Sequence, residues 1–190
     1  GPGQSGFALI TTMILLVIAT LLGLTASQVV LMSERSGRYE RDRQIAFQAA
    51  EAALLDAEFD MHGAGADRAA LFSAESNLGF EAGCGTSGSS RGLCLPAEGV
   101  QTPVWNTVDF TDDSDDAPTV ALGDFTGRNF AAGIHGVQSA RAPRYLIEVI
   151  VDPTPGNDKS KPRYLHRVTA VGFGPRVDTQ VMLQMVFRKE

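Results

Sequence analysis

Cysteine is nearly missing from this chain. Cys84 and Cys94 are the only two in 190 residues. Two cannot hold a tetrahedral metal unaided, and their ten-residue spacing is not the C-x-x-C of a redox centre. His62, His135 and His166 stand alone, without His-x-x-x-His or His/Cys spacing, and read as surface or hydrogen-bonded residues rather than ligands or bases. Clustered Lys and Arg are lacking outside residues 35–43, and the net charge is −6. That excludes general nucleic-acid binding, which needs concentrated positive charge against phosphates. No phosphate loop occurs, not even in the glycine-rich stretch 123–136, which has neither G-x-G-x-x-G nor a following Lys-Ser/Thr. Glu148 has no partner carboxylate nearby in sequence to suggest acid/base work. No catalytic residue, cofactor or resident metal is expected.

The absence that organises the chain is one of charge. Residues 7–32, FALITTMILLVIATLLGLTASQVVLM, carry no formal charge. At about 1.5 Å of rise per residue, a helix of that length outspans a hydrocarbon core of about 30 Å. A secretory signal peptide has a shorter core and a cleavage site after it. Core helices of soluble proteins rarely run so far without charge. The stretch therefore reads as a transmembrane helix. Ala19, Gly23 and Ser27 fall at four-residue spacing and make a small-residue face that a second helix could approach closely. Thr11, Thr12, Thr20 and Thr25 can return their hydroxyls to carbonyls one turn back, so they do not exclude burial in lipid.

Proline is missing from the next thirty residues as well, and SERSGRYERDRQIAFQAAEAALLDAEFDMHG keeps helix-forming composition. Arg35, Arg38, Arg41 and Arg43 alternate with Glu34, Glu40 and Asp42, as on a solvated helix face. Phe47, Ala50, Leu54, Ala57 and Met61 then recur at three- and four-residue steps, an apolar stripe that must bury against a domain. One helix in two media is expected, spanning the bilayer over 7–32 and forming the spine of a folded domain over 33–61, ahead of a globular region over 62–190. The roughly 130 residues beyond the anchor suffice for one modest core.

Glycine-bearing residues 62–68 end the spine, and a short helical piece is expected over 68–76. Loop composition follows over 79–99. On the oxidising side of an inner membrane, Cys84 and Cys94 favour a disulfide over free buried thiols, closing a loop with about 2–4 kcal/mol of stabilisation. That loop contains a formal G-x-S-x-G at residues 88–92, without the preceding strand and following helix of a nucleophile elbow. Strand-like pieces over 104–110 and 119–125 flank TDDSDDAP. There Asp112, Asp113, Asp115 and Asp116 offer calcium oxygen ligands but lack the Gly and distal Glu of an EF-hand, so a solvated acidic turn is the better reading. Residues 143–152, 163–173 and 177–188 alternate as strands. In the last, Val177, Thr179, Val181, Leu183, Met185 and Phe187 share one face. An antiparallel sheet of about four strands, wet on one side and covered on the other by the spine helix, gives an α+β fold.

Two features carry a resemblance. Gly6 directly before Phe7, opening a long apolar helix, resembles the cleavage point of type IV prepilins, where a peptidase cuts after Gly and methylates the new terminus. The segment GFALITTMILLVIATLLGLTASQ with RDRQIAFQAAEAALLDAE, and then PRYLIEVIVD with RYLHRVTAVGFGPRVDTQVMLQMVF, resembles the PilX-type minor pilins of type IV pili over about half the chain. Residues 1–6 then read as a tag remnant and the end of the prepilin leader.

The resemblance implies a pilin-like fold and a structural subunit that primes pilus assembly at or near the filament tip. Its partners would be other minor pilins, the assembly machinery and a tip adhesin. It would reside in the bacterial inner membrane with a periplasmic C-terminal domain before entering the pilus. One position departs from the wider pattern, since Thr11 stands where most pilins carry a glutamate that neutralises a neighbour's ammonium in an apolar core. The K-type minor pseudopilin of type II secretion shares that omission and is the alternative within the class. A membrane-anchored periplasmic sensor or binding domain is the alternative outside it.

Overall fold

The computed structural model describes residues 4–63, 66–97, 99, 102–130, 137–154 and 161–189, excepting the side chains of 4–6, 24–31, 66 and 67. His135 and the side chains of Thr25 and Ser27 lie outside the described residues. Two compact units emerge, Gly1–Arg41 and Asp42–Glu190. The helix α1, Gln4–Gly63, contributes to both.

In the first unit α1 stands without tertiary cover. Phe7, Ile10, Met13, Ile14, Leu16 and Leu21 are all about half exposed or more. Three of the threonines return their hydroxyls to their own helix. Thr11 Oγ1 donates to the carbonyls of Phe7 (3.1 Å) and Ala8 (2.9 Å), Thr12 to those of Ala8 and Leu9, and Thr20 to that of Val17. Among the described residues no helix is long and apolar enough to cross a membrane, and the side chains of 24–31, within the expected span, lie outside those described.

In the second unit the last turns of α1 lie on a six-stranded sheet. Its strands are β1 (Glu81–Ala82), β2 (Leu93–Leu95), β3 (Val120–Ala121), β4 (Arg144–Val151), β5 (Tyr164–Phe173) and β6 (Gln180–Phe187), in the order β1-β2-β4-β5-β6 with β3 also on β4. β4, β5 and β6 pair antiparallel, as expected. The sheet as a whole is mixed rather than antiparallel, because β1 runs parallel to β2 and β2 parallel to β4. Parallel neighbours ordinarily need a long crossover. Strands of two and three residues are short enough for the loop over 83–92 to return the chain without reversing it.

Two further expectations are corrected. Residues 104–110 hold only a 3-10 turn, Val104–Asn106. Of 119–125 only Val120–Ala121 is strand, the chain then turning at Gly123 and Asp124. Likewise the helical piece expected over 68–76 ends early, as α2, Ala66–Ala69. The wet face also proves covered on the central strands. Leu146, Val171 and Phe173 turn away from α1 and bury against Val104, Phe110, Cys84 and Cys94. The irregular middle of the chain thus forms a second layer. Only β6 keeps the expected alternation, its odd residues half-buried and its even ones exposed.

The inward stripe of α1 is made of small residues. Ala46, Ala49, Ala50, Ala53, Ala57 and Met61 are fully buried, whereas Phe47, expected in the stripe, is 37% exposed, and Leu54 sits at its margin. The reason lies in the strand beneath. A Cβ placed on Gly172 of β5 would stand 2.1 Å from the Ala46 carbonyl oxygen and 2.3 Å from the Ala50 nitrogen. Backbone meets backbone there, so only alanine fits on the helix and only glycine on the strand, and phenylalanine is turned outward.

Candidate functional site

Two fully buried aspartates, one turn apart on α1, tie the second unit together. Asp56 accepts from the Gly123 N–H (2.9 Å) and the Thr126 hydroxyl (2.5 Å), with Arg128 at 3.9 Å. Gly123 has φ +94°, and a Cβ there would meet the Arg128 carbonyl at 2.1 Å, so glycine is what lets this loop fold against the helix. Asp60 takes Arg68 Nε on both oxygens (2.8 and 2.9 Å) and the Tyr145 hydroxyl at 3.0 Å. The Arg68 guanidinium lies 3.6 Å over the Phe125 ring and donates Nη1 to the Ser89 carbonyl. Burial pushes the Asp60 carboxyl up against the opposing pull of Arg68, and pushes the Tyr145 phenol well above its ordinary range. Helix, short helix, strand and disulfide loop meet at this one buried pair.

Cys84 and Cys94 are bonded to each other, with Cα atoms 4.0 Å apart. Cys84 takes a left-handed φ of 73°, which turns the chain from β1 into the loop, and Cys94 lies fully buried on β2. Ser90, the serine of the G-x-S-x-G match, donates to Glu81 Oε1 (2.7 Å) and sits in a 3-10 turn preceding a strand. An elbow requires the reverse order. The aspartates of the acidic turn disperse. Asp113 faces Arg141 (2.6 Å) and Arg144 (3.4 Å), Asp112 accepts from the Ser114 N–H, and the Asp115 carbonyl accepts from Arg91. Among the described residues no three His, Cys, Asp or Glu side chains gather to hold a metal.

Two polar residues on the sheet are buried. Glu148 is fully buried, bonded through Oε2 to Arg167 (2.9 Å), and burial raises its carboxyl. His166 is neither exposed nor satisfied. It is fully buried between the Phe72 and Phe80 rings, 5.6 and 5.8 Å away, and neither ring nitrogen has a hydrogen bond among the described residues. Burial, with Lys189 adding repulsion, lowers its pKa to about 4. Lys189 itself donates Nζ to the carbonyls of Met61 and Ala69, both at 3.0 Å, closing the ends of α1 and α2.

The other candidate positions lie in the first unit. Gly6 and Phe7 lie on α1 near the start of its described residues. Ala19 and Gly23 are exposed, and a Cβ on Gly23 would meet nothing within 4 Å. Sequence reasoning misses the aspartate ties, and it reads His166 as a surface or hydrogen-bonded residue, which its burial corrects. The signal available was the polar interruption of the alanine series at Asp56 and Asp60.

An uncovered apolar helix joined to a disulfide-bearing α+β head, whose buried polar groups serve packing, defines a structural subunit. Family comparison is specific on the point. Residues 5–55 match the PilX N-terminal family, and residues 90–189 match the type IV pilus assembly protein PilX C-terminal family. The chain belongs to the PilX type IV pilus assembly family, and so to the minor pilins. No curated protein and no solved structure matches it.

Proposed function

We propose that this minor pilin primes type IV pilus assembly from a position at or near the filament tip, packing its apolar helix against those of other minor pilins. The observation that carries the reading is the apolar surface of residues 7–23, exposed on every side. Such a surface is stable only in lipid or against other helices. Before assembly, residues 7–32 occupy the inner membrane, with the head in the periplasm, where its disulfide is maintained. A prepilin peptidase cuts after Gly6, leaving methylated Phe7. Ala19, Gly23 and Ser27 form the close-approach face, and an adhesin above the subunit is a further partner.

Thr11 supports the tip position. Its hydroxyl is satisfied by its own helix and needs no ammonium from a subunit above. The same feature favours a second reading, a K-like pseudopilin at the tip of a type II secretion filament. Mass spectrometry of native protein coexpressed with the prepilin peptidase tests the processing step, where any mature terminus other than methylated Phe7 refutes it. Labelled subunits on sheared pili test the position. Signal at one end of pili supports the first reading. Signal spread along their length refutes the tip, and a secretion defect with normal pili selects the second reading.

A further inference from the structure

Sheet edges are ordinarily blunted by charge, proline or brevity, because an open row of N–H and C=O groups pairs with any strand that reaches it. β6 has none of these protections. Gln180–Phe187 is eight residues long, QVMLQMVF, without charge or proline. It pairs with β5 on one side, and among the described residues no other backbone hydrogen bond reaches it. Its helix-side residues Val181, Leu183, Met185 and Phe187 are only half-buried, and Met182 and Val186 on the other side are 41% and 56% exposed. The strand is finished by neither the helix nor the second layer.

We propose that β6 pairs antiparallel with β6 of a second copy of this chain, about a two-fold axis at Leu183, continuing the sheet across the two molecules. Register follows from parity and charge. Alternate residues face opposite sides of a sheet, so only pairings of odd with odd and even with even keep the half-buried residues together. With Leu183 opposite Leu183, Val181 meets Met185, Met182 meets Gln184 and Gln180 meets Val186. Just beyond the strand, Asp178 comes opposite Arg188. Moving the axis to Met182 instead sets Arg176 against Arg188, and moving it to Gln184 leaves Asp178 without a cation opposite. Asp178 and Arg188 are 69% and 53% exposed and already bonded to Arg176 and Asp152 in their own chain. The cross-pair therefore contributes register more than affinity. The helices leave room, because α1 sits over β5 at Gly172. Three strand spacings of about 4.8 Å separate one α1 from the other by roughly 14 Å, more than the 10–12 Å width of a helix. A two-fold normal to the sheet runs the two 42–63 segments antiparallel, so the pair joins copies that do not stand side by side in one parallel array.

Cysteine crosslinking of the full chain in detergent tests this. Leu183→Cys places two thiols on the axis, at the Cα separation of about 5 Å that a disulfide tolerates. Mild oxidation should give at least about tenfold more covalent dimer than Gln180→Cys, whose opposite number is Val186 rather than itself. Should Leu183→Cys fold poorly, amide exchange of the unsubstituted protein serves instead, with alternate β6 amides slowing as concentration rises. Equal crosslinking at 180 and 183, or β6 exchange independent of concentration, would each overturn the proposal.

Discussion

Gly172→Ala is the sharpest test of how α1 is seated. The new Cβ would lie 2.1 Å from the Ala46 oxygen, 2.3 Å from the Ala50 nitrogen and 2.9 Å from the Ala49 carbonyl carbon. For the first two, ordinary contact begins more than an ångström further out, and every atom met is helix backbone, with no side-chain tip to swing aside. Either α1 lifts, opening gaps beneath Ala53 and Ala57, or β5 bends away from its neighbours. Overpacking commonly costs 1–3 kcal/mol, and a rigid wall puts this site at about 3 kcal/mol or more. For a chain of this size that is a fall in Tm of about 6–12 °C, measurable by circular dichroism of the full chain in detergent. The companion variant is Gly172→Ala with Ala46→Gly. If the clash is with backbone, removing the Ala46 methyl should recover little. A loss below about 1 kcal/mol, or full recovery in the double variant, would refute the backbone-contact account.

Three other outcomes are expected. The depressed His166 pKa means that the unfolded chain takes up a proton near 6.5 and the folded chain only near 4. Its contribution is therefore complete above pH 6.5 and lost as pH falls toward 4, by about 3 kcal/mol; His166→Phe should flatten that limb of a urea-midpoint titration, and an unchanged slope would remove His166 from the account. Asp60→Ala should cost about 3–5 kcal/mol by stranding the Arg68 guanidinium in the core, whereas Asp60→Leu with Arg68→Met should regain most of it, and denaturant midpoints decide. Replacing Cys84 and Cys94 by serine should lower stability by about 3 kcal/mol, and two reactive thiols in unreduced, denatured protein of the original sequence would remove the bridge altogether.

What could be read in advance followed periodicity. The uncharged run of α1 and the alternation in β4, β5 and β6 are local patterns, so the long helix and the antiparallel half of the sheet were visible in them. Cys84 and Cys94 were legible because no other cysteine competes for either. The inner face of α1 was half legible. Ala50, Ala57 and Met61 lie where three- and four-residue steps put them, but Phe47 attracted attention by its size when the strand, at Gly172, admits only alanine. Pairs distant in sequence were not legible. Nothing local links Asp60 to Tyr145, eighty-five residues on, or Asp56 to Gly123. The mixed sheet was hidden for a similar reason, since β1, β2 and β3 are too short to show a period; β2 and β3 exist because β4 offers an edge, and β1 because β2 extends it.

Synthesis order gives the seat of α1 a further consequence. The helix leaves the ribosome well before the surface it fits, since Gly172 follows more than a hundred residues later, and Lys189, which closes the ends of α1 and α2, later still. During that interval the alanine face and both inward aspartates have no partner, and folding must wait on contacts of very long sequence separation, which are slow to form. On the proposed membrane reading of residues 7–32, a nascent subunit is held through α1 long before its head can exist. Chains truncated before β5 should retain the anchor-like segment while presenting an unfolded tail, a form suited to removal by proteases and unsuited to incorporation.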